Sequence, residues 1–526
     1  MKMDWILCIL LILIVIVLAL LAYVYITSDV SSLREMLGGV EGGGAYPLQV
    51  QIKKKYGHLK SKKKTFEEMC YPKSYTLQPQ QIFVGDYMAS LKKNKSLLVF
   101  HKIGAGKTCA GIQIAKHFVD KGKVLFVLPA SLIPSLEAEL ASPCGAKIKK
   151  NRIEAMSYNK FSTDPPRYVP SILIIDEVQN VYNKSGVFYN QLKTYIDKHP
   201  DMPVVIMSGT PIFDNIGELF SIAGLLRLPL TEISLPAMKI FEGHVSFFKG
   251  APKETFPKVT IVEKKLPMSK FQAKWYRGEI EAEERTNGSV KLTTVANDFY
   301  IKSRQRSNIV FPQGLTGEQG IEHLTRKMIK EDLHKYSTKF DFILKKLKNN
   351  LSMIYTSFTN EYGILALKKI LNVHGFKDFA DHGPGPKRYA IFSGEESRRY
   401  KERIRTTFNS EANDNSSQLQ LIIGSPAIKE GVSLYRLAYI FVLEAYWNYS
   451  RLEQIYGRGY RYCSHKRLPP SKRNLQIYLL CAVAGDEDTP IGSIDLFMLD
   501  TAAEKKEEIS PYIKALINIA VDKYLY

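Results

Sequence analysis

Residues 97–108 read LLVFHKIGAGKT, an apolar run that feeds a Gly-rich loop ending in Lys-Thr. Such a junction constrains the chain to a strand, a tight loop and a helix built around an anion. Gly104 and Gly106, on either side of Ala105, let the backbone curl until successive N–H groups point at phosphates. Lys107 is expected to reach the β- and γ-phosphates of a bound nucleoside triphosphate, and Thr108 to place its hydroxyl on Mg²⁺. The next residues, CAGIQIAKHF, read as a helix whose N-terminal dipole adds to the attraction. His101 stands where such a loop usually begins with glycine.

Further along, SILIIDEVQN at 171–180 is a short β-branched run of the kind found in buried parallel strands, and it ends in paired carboxylates. At the carboxyl end of a strand these side chains face the crevice where doubly wound sheets bind ligands. Asp176 is expected to hold Mg²⁺, and Glu177 to orient and deprotonate the attacking water. Residues 202–215, MPVVIMSGTPIFDN, repeat the pattern and end in a hydroxyl-rich turn. After LIIGSPAIKEGVSL at 421–434 comes WNYSRLEQIYGRGYR at 447–461, in which Gln454, Gly457, Arg458 and Arg461 form QxxGRxxR. Guanidiniums about one helical turn apart share a face and can meet a γ-phosphate bound elsewhere.

The order of these motifs resembles the superfamily 2 helicases and translocases, specifically the Swi/Snf-like branch carried by large cytoplasmic DNA viruses. The resemblance runs from about Leu77 to the C-terminus and includes LQPQQIFV, where Gln81 falls on the glutamine that precedes the phosphate loop in that branch. It implies ATP and Mg²⁺ as cofactors, with Gln81, Gly104, Ala105, Gly106, Lys107, Thr108, Asp176 and Gly431 around the nucleotide. Glu177, Gln454, Arg458 and Arg461 would be catalytic. It further implies DNA or RNA as partner, touched by Pro129, Ser131 and Ser157 in one domain and by Thr356 and Ser425 in the other. A viral RNA polymerase and other virion proteins are further partners that it admits. Gln179 stands where many relatives carry histidine.

The chain has 526 residues, 45% of them hydrophobic, which suffices for two or three packed domains. Its formal net charge of +21 calls for a polyanionic partner, nucleic acid or an anionic membrane face. The cysteines Cys8, Cys70, Cys109, Cys144, Cys463 and Cys481 show no metal-ligand spacing. They read as isolated thiols of a reducing compartment, with no structural zinc and no disulfide framework. No nuclease or glycosylase constellation is evident.

Trp5 to Ile26 carries no charge and as a helix would extend roughly 33 Å, enough to cross a bilayer core. It therefore reads as a retained membrane anchor rather than a signal peptide, whose apolar centre is usually ~7–15 residues long. The expected fold class is α/β, with two tandem RecA-like domains preceded by one N-terminal transmembrane helix. The expected segments are an anchor at 1–30, a Gly-rich and Lys-rich linker at 31–74 and an ATP-binding RecA-like domain at 75–230. An inter-domain helical insertion at 231–334, a second RecA-like domain at 335–484 and a helical C-terminal extension at 485–526 complete the chain. The lysines of the linker would keep the catalytic domains on the cytoplasmic or virion-interior side, against the lipid bilayer.

The resulting expectation is a membrane-anchored, nucleic-acid-dependent ATPase acting as a helicase or translocase. Two alternatives share parts of the pattern: a viral transcription-factor ATPase without processive unwinding, and a non-enzymatic tether between membrane and genome.

Overall fold

The computed structural model describes residues 47–59, 64–102, 104–146, 148–182, 186–287, 300–429, 432–485 and 492–525. Residues 47–57 belong to one unit and form the helix Pro47–Tyr56, with Lys53, Lys54 and Lys55 in its last turn. The remainder forms a second unit, which holds both sheets.

The first sheet contains β1 (Ser96–His101), β2 (Val124–Leu128), β3 (Ile153–Ser157), β4 (Ile172–Asp176), β5 (Val204–Ser208) and β6 (Val245–Phe248). Their order is β3-β2-β4-β5-β1-β6 and every pairing is parallel. Strands β1, β2, β4 and β5 are buried at every position. Continuous apolar runs are what a parallel sheet covered on both faces demands. Parallel pairing also brings the carboxyl ends of β1, β4 and β5 to one edge, and the polar motifs follow those ends.

The second sheet contains β7 (Lys258–Pro267), β8 (Ser352–Tyr355), β9 (Lys377–Asp378), β10 (Arg388–Phe392), β11 (Leu421–Gly424), β12 (Tyr439–Val442) and β13 (Asn474–Val483). It is again wholly parallel, in the order β7-β13-β12-β8-β11-β10-β9. The stretch between residues 231 and 334 contributes a strand to each lobe: β6 closes the first sheet beside β1, and β7 pairs along the whole of β13.

The helix Ile494–Ile519 begins on the second lobe, where Ser493 caps it by accepting from the Leu496 N–H. It does not stay there. Lys505 reaches Asp214 of the first lobe at 3.0 Å, and beyond the helix the Asp522 carboxylate accepts from Ser246 Oγ and from the Phe247 N–H on β6. The C-terminal segment therefore straps the two lobes together.

Two expectations are corrected. The fold is two parallel-sheet α/β lobes without a described transmembrane helix, since no helix among the described residues is long and apolar enough to cross a membrane. Ile494–Ile519 has the length, with 26 residues, but it carries Glu504, Lys505, Lys506, Glu507 and Glu508 and packs on protein. Trp5 to Ile26 lies outside the described residues. The thiols are also not all isolated: Cys70 bonds to Cys463 and Cys109 to Cys144, while Cys481 is free and buried. Spacing along the chain gave no sign of the first pair because its members lie 393 residues apart and only lobe packing brings them together.

Candidate nucleotide site between the lobes

β1 delivers the chain to the phosphate loop, where Gly104 has φ +79° and Gly106 φ +74°. Those values are strained for any residue with a Cβ. At Gly106 a Cβ would also meet Gln81 Nε2 at 2.5 Å and push that amide off the loop. Gln80 and Gln81, in the helix Pro79–Ser90, donate to the carbonyls of Ala105 (3.1 Å) and Gly106 (3.4 Å). The loop is thus held from outside, and Gln80 is a contact that the sequence motif did not single out. Its only signal was adjacency to Gln81.

The departure at His101 has a local cause. His101 is the last residue of β1, paired with Phe248 of β6, and the left-handed turn begins only at Gly104. Its ring is fully buried, with Nε2 3.1 Å from Ser246 Oγ. Burial, aided by nearby Lys107, pushes its pKa down to about 3 and keeps it neutral.

Lys107 opens the helix Lys107–Lys116 and places Nζ 2.9 Å from Glu177 Oε1. Glu177 sits in the left-handed region at φ 53°, ψ 48°, which turns its side chain back toward the loop. Its second oxygen accepts from Gln179 Nε2 at 2.6 Å, and Gln179 Oε1 accepts from Ser208 Oγ at 2.7 Å. A single amide therefore joins the carboxylate after β4 to the hydroxyl that ends β5, as an acceptor-donor side chain of this length allows.

The two carboxylates differ. Burial raises Asp176 to about 6 against the opposing pull of Lys107. Burial also pushes Glu177 up, but Lys107, the Gln179 hydrogen bond and Arg458 outweigh it, and its net direction is down. Asp176 is thus a buried carboxylate short of positive charge, adjacent to the helix that carries Thr108. That donor set, one carboxylate and one hydroxyl, suits a hard divalent cation.

From the second lobe, Arg458 and Arg461 follow the helix Tyr449–Tyr456. Arg458 is buried and donates to the carbonyls of Gln454 (3.0 Å) and Val432 (3.2 Å). The backbone thus fixes its direction. Arg461 is partly buried, its Nε is enclosed without a hydrogen-bond partner among the described residues, and the charge of Glu177 acts on it. Two guanidiniums of one lobe therefore feel the carboxylate of the other. Asn448 and Lys505 both donate to Asp214 Oδ1, which closes the cleft beside them.

No family model matches the chain. A putative ATP-dependent RNA helicase, R563, of Acanthamoeba polyphaga mimivirus is 34% identical over 503 residues, covering 83% of this chain and 88% of that protein. The chain belongs to the viral superfamily 2 helicase/ATPase family. Putative helicase 087L of Invertebrate iridescent virus 3 is 27% identical, with 81% of this chain and 51% of that protein covered. The early transcription factor 70 kDa subunit of Rabbit fibroma virus is 24% identical, with 80% and 74% covered. A Sulfolobus solfataricus SWI2/SNF2 ATPase core solved with dsDNA aligns over 86% of this chain and 96% of that one, at 17% identity and a TM-score of 0.31, too distant to argue from.

The enzyme is accordingly an ATP-hydrolysing helicase/translocase. Of the residues the family resemblance assigned to nucleic acid, Pro129 and Ser131 follow β2 and Ser131 is exposed. Ser157 ends β3 and caps the next helix by accepting from the Lys160 N–H. Thr356 and Ser425, at the ends of β8 and β11, are buried. Thr356 donates to Glu444 Oε1 at 2.7 Å, so its hydroxyl faces inward rather than toward a strand of nucleic acid. Ser425 accepts from the Ala427 N–H at 3.3 Å. Burial of both is a tertiary effect, since neighbouring strands cover the ends of β8 and β11. Gly431 lies outside the described residues.

Proposed function

We propose that this chain binds ATP with Mg²⁺ between its lobes and uses hydrolysis to move along DNA or RNA. The supporting observation is the convergence of Lys107 and Glu177 from one lobe with Arg458 and Arg461 from the other. Thr108 and Asp176 would hold the cation, which when bound neutralises phosphate charge. Lys107 fixes the phosphates, Glu177 accepts a proton from the attacking water, and Arg461 offers its unpartnered Nε to charge that develops on the γ-phosphoryl group. Once phosphate leaves, only the Glu177 carboxylate remains between Lys107 and the two arginines, and the lobes can part more readily. The +21 net charge favours a polyanionic track. Similarity to the early transcription factor 70 kDa subunit supports a second reading, in which the same cycle opens or clears promoters beside a polymerase.

ATPase rates of the full chain with single- and double-stranded DNA and RNA test this reading. One of the four should stimulate turnover, with an affinity that falls steeply as salt rises. Glu177→Gln should bind ATP and fail to hydrolyse it. Turnover indifferent to all four polymers overturns the translocase reading, and wild-type hydrolysis by Glu177→Gln overturns the assignment of the base.

A further inference from the structure

The segment that leads into the phosphate-loop glutamines is anchored on the opposite lobe. Cys70 ends the helix Phe66–Cys70 and is bonded to Cys463, two residues beyond Arg461. Around that bond Lys466 Nζ donates to the Cys70 carbonyl at 2.8 Å, Tyr462 donates to the Met69 carbonyl at 2.7 Å, and Tyr71 donates to the Lys466 carbonyl at 3.0 Å. The Arg473 guanidinium lies 3.9 Å over the Phe66 ring.

Residues 71–76 then run exposed across the surface to Pro79, where the next helix begins. Along the way the Tyr75 hydroxyl lies 3.2 Å from Cys109 Sγ, immediately after Thr108. The Gln78 N–H donates to Gln81 Oε1, and Gln80 and Gln81 grip the loop carbonyls. A short strap therefore runs from the arginine loop of the second lobe to the phosphate loop of the first.

We propose that Cys70 and Cys463 are a reversible redox-modification site that latches the nucleotide cleft, with a small disulfide of the oxidised-glutathione class as electron acceptor. The partly exposed Cys463 offers the approach, while Cys70 is buried. One thiolate attacks the disulfide of the reagent and releases one thiol. The second thiolate then attacks the resulting mixed disulfide and releases the other. Two protein thiols are oxidised and one reagent disulfide becomes two thiols; a dithiol reverses both steps. In the oxidised form, separation of the lobes must pull on Gln80 and Gln81, so the cleft opens less readily and ADP leaves more slowly. In the reduced form only hydrogen bonds and two cation–π contacts, Lys466 over Tyr71 and Arg473 over Phe66, hold the strap, and it can detach from the second lobe. The bond thereby joins the two halves of the ATP site through a path that hydrolysis itself does not use.

The full chain, treated with oxidised glutathione or with dithiothreitol, tests the latch by non-reducing peptide mapping and by ATPase kinetics. The oxidised protein should yield a peptide pair linked through Cys70 and Cys463, with kcat several-fold lower and KM lower as well; dithiothreitol should reverse all three changes. Cys70→Ser and, independently, Cys463→Ser should match reduced wild type in turnover and lose the response, while Cys109 and Cys144 remain free to pair. The idea is overturned by absence of the linked peptides after oxidation, by a linked protein whose kcat is unchanged, or by a redox response that persists in either variant.

Discussion

The strand ends of the two lobes carry similar polar residues and use them in opposite ways. In the first lobe Asp176, at the end of β4, accepts from the Glu177 N–H and is still raised by burial against the pull of Lys107, which pairs with Glu177 across the loop. In the second lobe the carboxylate at the equivalent edge is held by its own lobe. Glu444, after β12, accepts from Thr356 Oγ1 and from the Ser357 N–H, while Lys339 pairs with Asp495 at 2.8 Å in full burial. A buried carboxylate is costly when charged, so Asp176 is the group here that a bound cation would relieve most. The first lobe thus presents a burial-raised carboxylate at its edge, and the second presents two arginines toward it.

The largest effects should break this division at its charges. Lys107→Ala removes the fixed ammonium and should reduce ATP turnover to background while also weakening nucleotide binding. Arg461→Ala should lower kcat by on the order of 10³ and leave KM nearly unchanged, since its guanidinium acts on charge that develops during transfer. Steady-state kinetics of both variants check the contrast. An Arg461→Ala enzyme that loses affinity and turnover equally would make the second lobe a ground-state binder like the first.

A smaller effect follows from Asp176. Its pKa is raised to about 6 by burial, so kcat/KM of the free enzyme should fall as pH drops below about 6, approaching tenfold per unit. For stability the sign is reversed. A carboxyl raised above its ordinary 3.8 binds its proton more tightly when folded, so this group alone favours the fold below 3.8 and that contribution is lost as pH rises through about 6. A pH–rate profile checks the first statement, and Asp176→Asn, by removing the group, should flatten its share of the pH dependence of thermal unfolding.

The smallest effect tests the Thr356–Glu444 hydrogen bond of the second lobe. Thr356→Val keeps the shape but withdraws one donor from the buried Glu444, which should cost about 1–3 kcal/mol and lower Tm. ATP affinity of the folded protein should not change. A large loss of nucleic-acid binding at unchanged Tm would instead give the Thr356 hydroxyl an outward role.

Much of this arrangement was legible along the chain because its signals are local. A buried parallel strand must be a short apolar run, and the loop that follows must contain glycine where φ turns positive, so β1, β4 and β5 and their motifs could be read in order. Arg458 and Arg461 were legible as a motif but not as one helix face, because the helix ends at Tyr456 and both arginines lie in the turn and loop beyond it. What contact decides was not legible. Gln80 on the loop carbonyl, the burial of Thr356 and Ser425, and the β6 strand hidden between residues 231 and 334 each depend on what lies opposite.

The sequence by itself determined the chemistry: glycines for a curled loop, a lysine and a hydroxyl for phosphate and cation, paired carboxylates at a strand end, and two arginines in one motif. Those assignments follow from covalent structure and backbone period, which neighbours in the chain fix. Tertiary structure alone decided that the arginines face Glu177, that the C-terminal helix crosses back to Asp214 and β6, and that Cys70 meets Cys463 across 393 residues. Each of these is a meeting of side chains distant along the chain, and only burial of two apolar sheets against their helices brings such partners within reach.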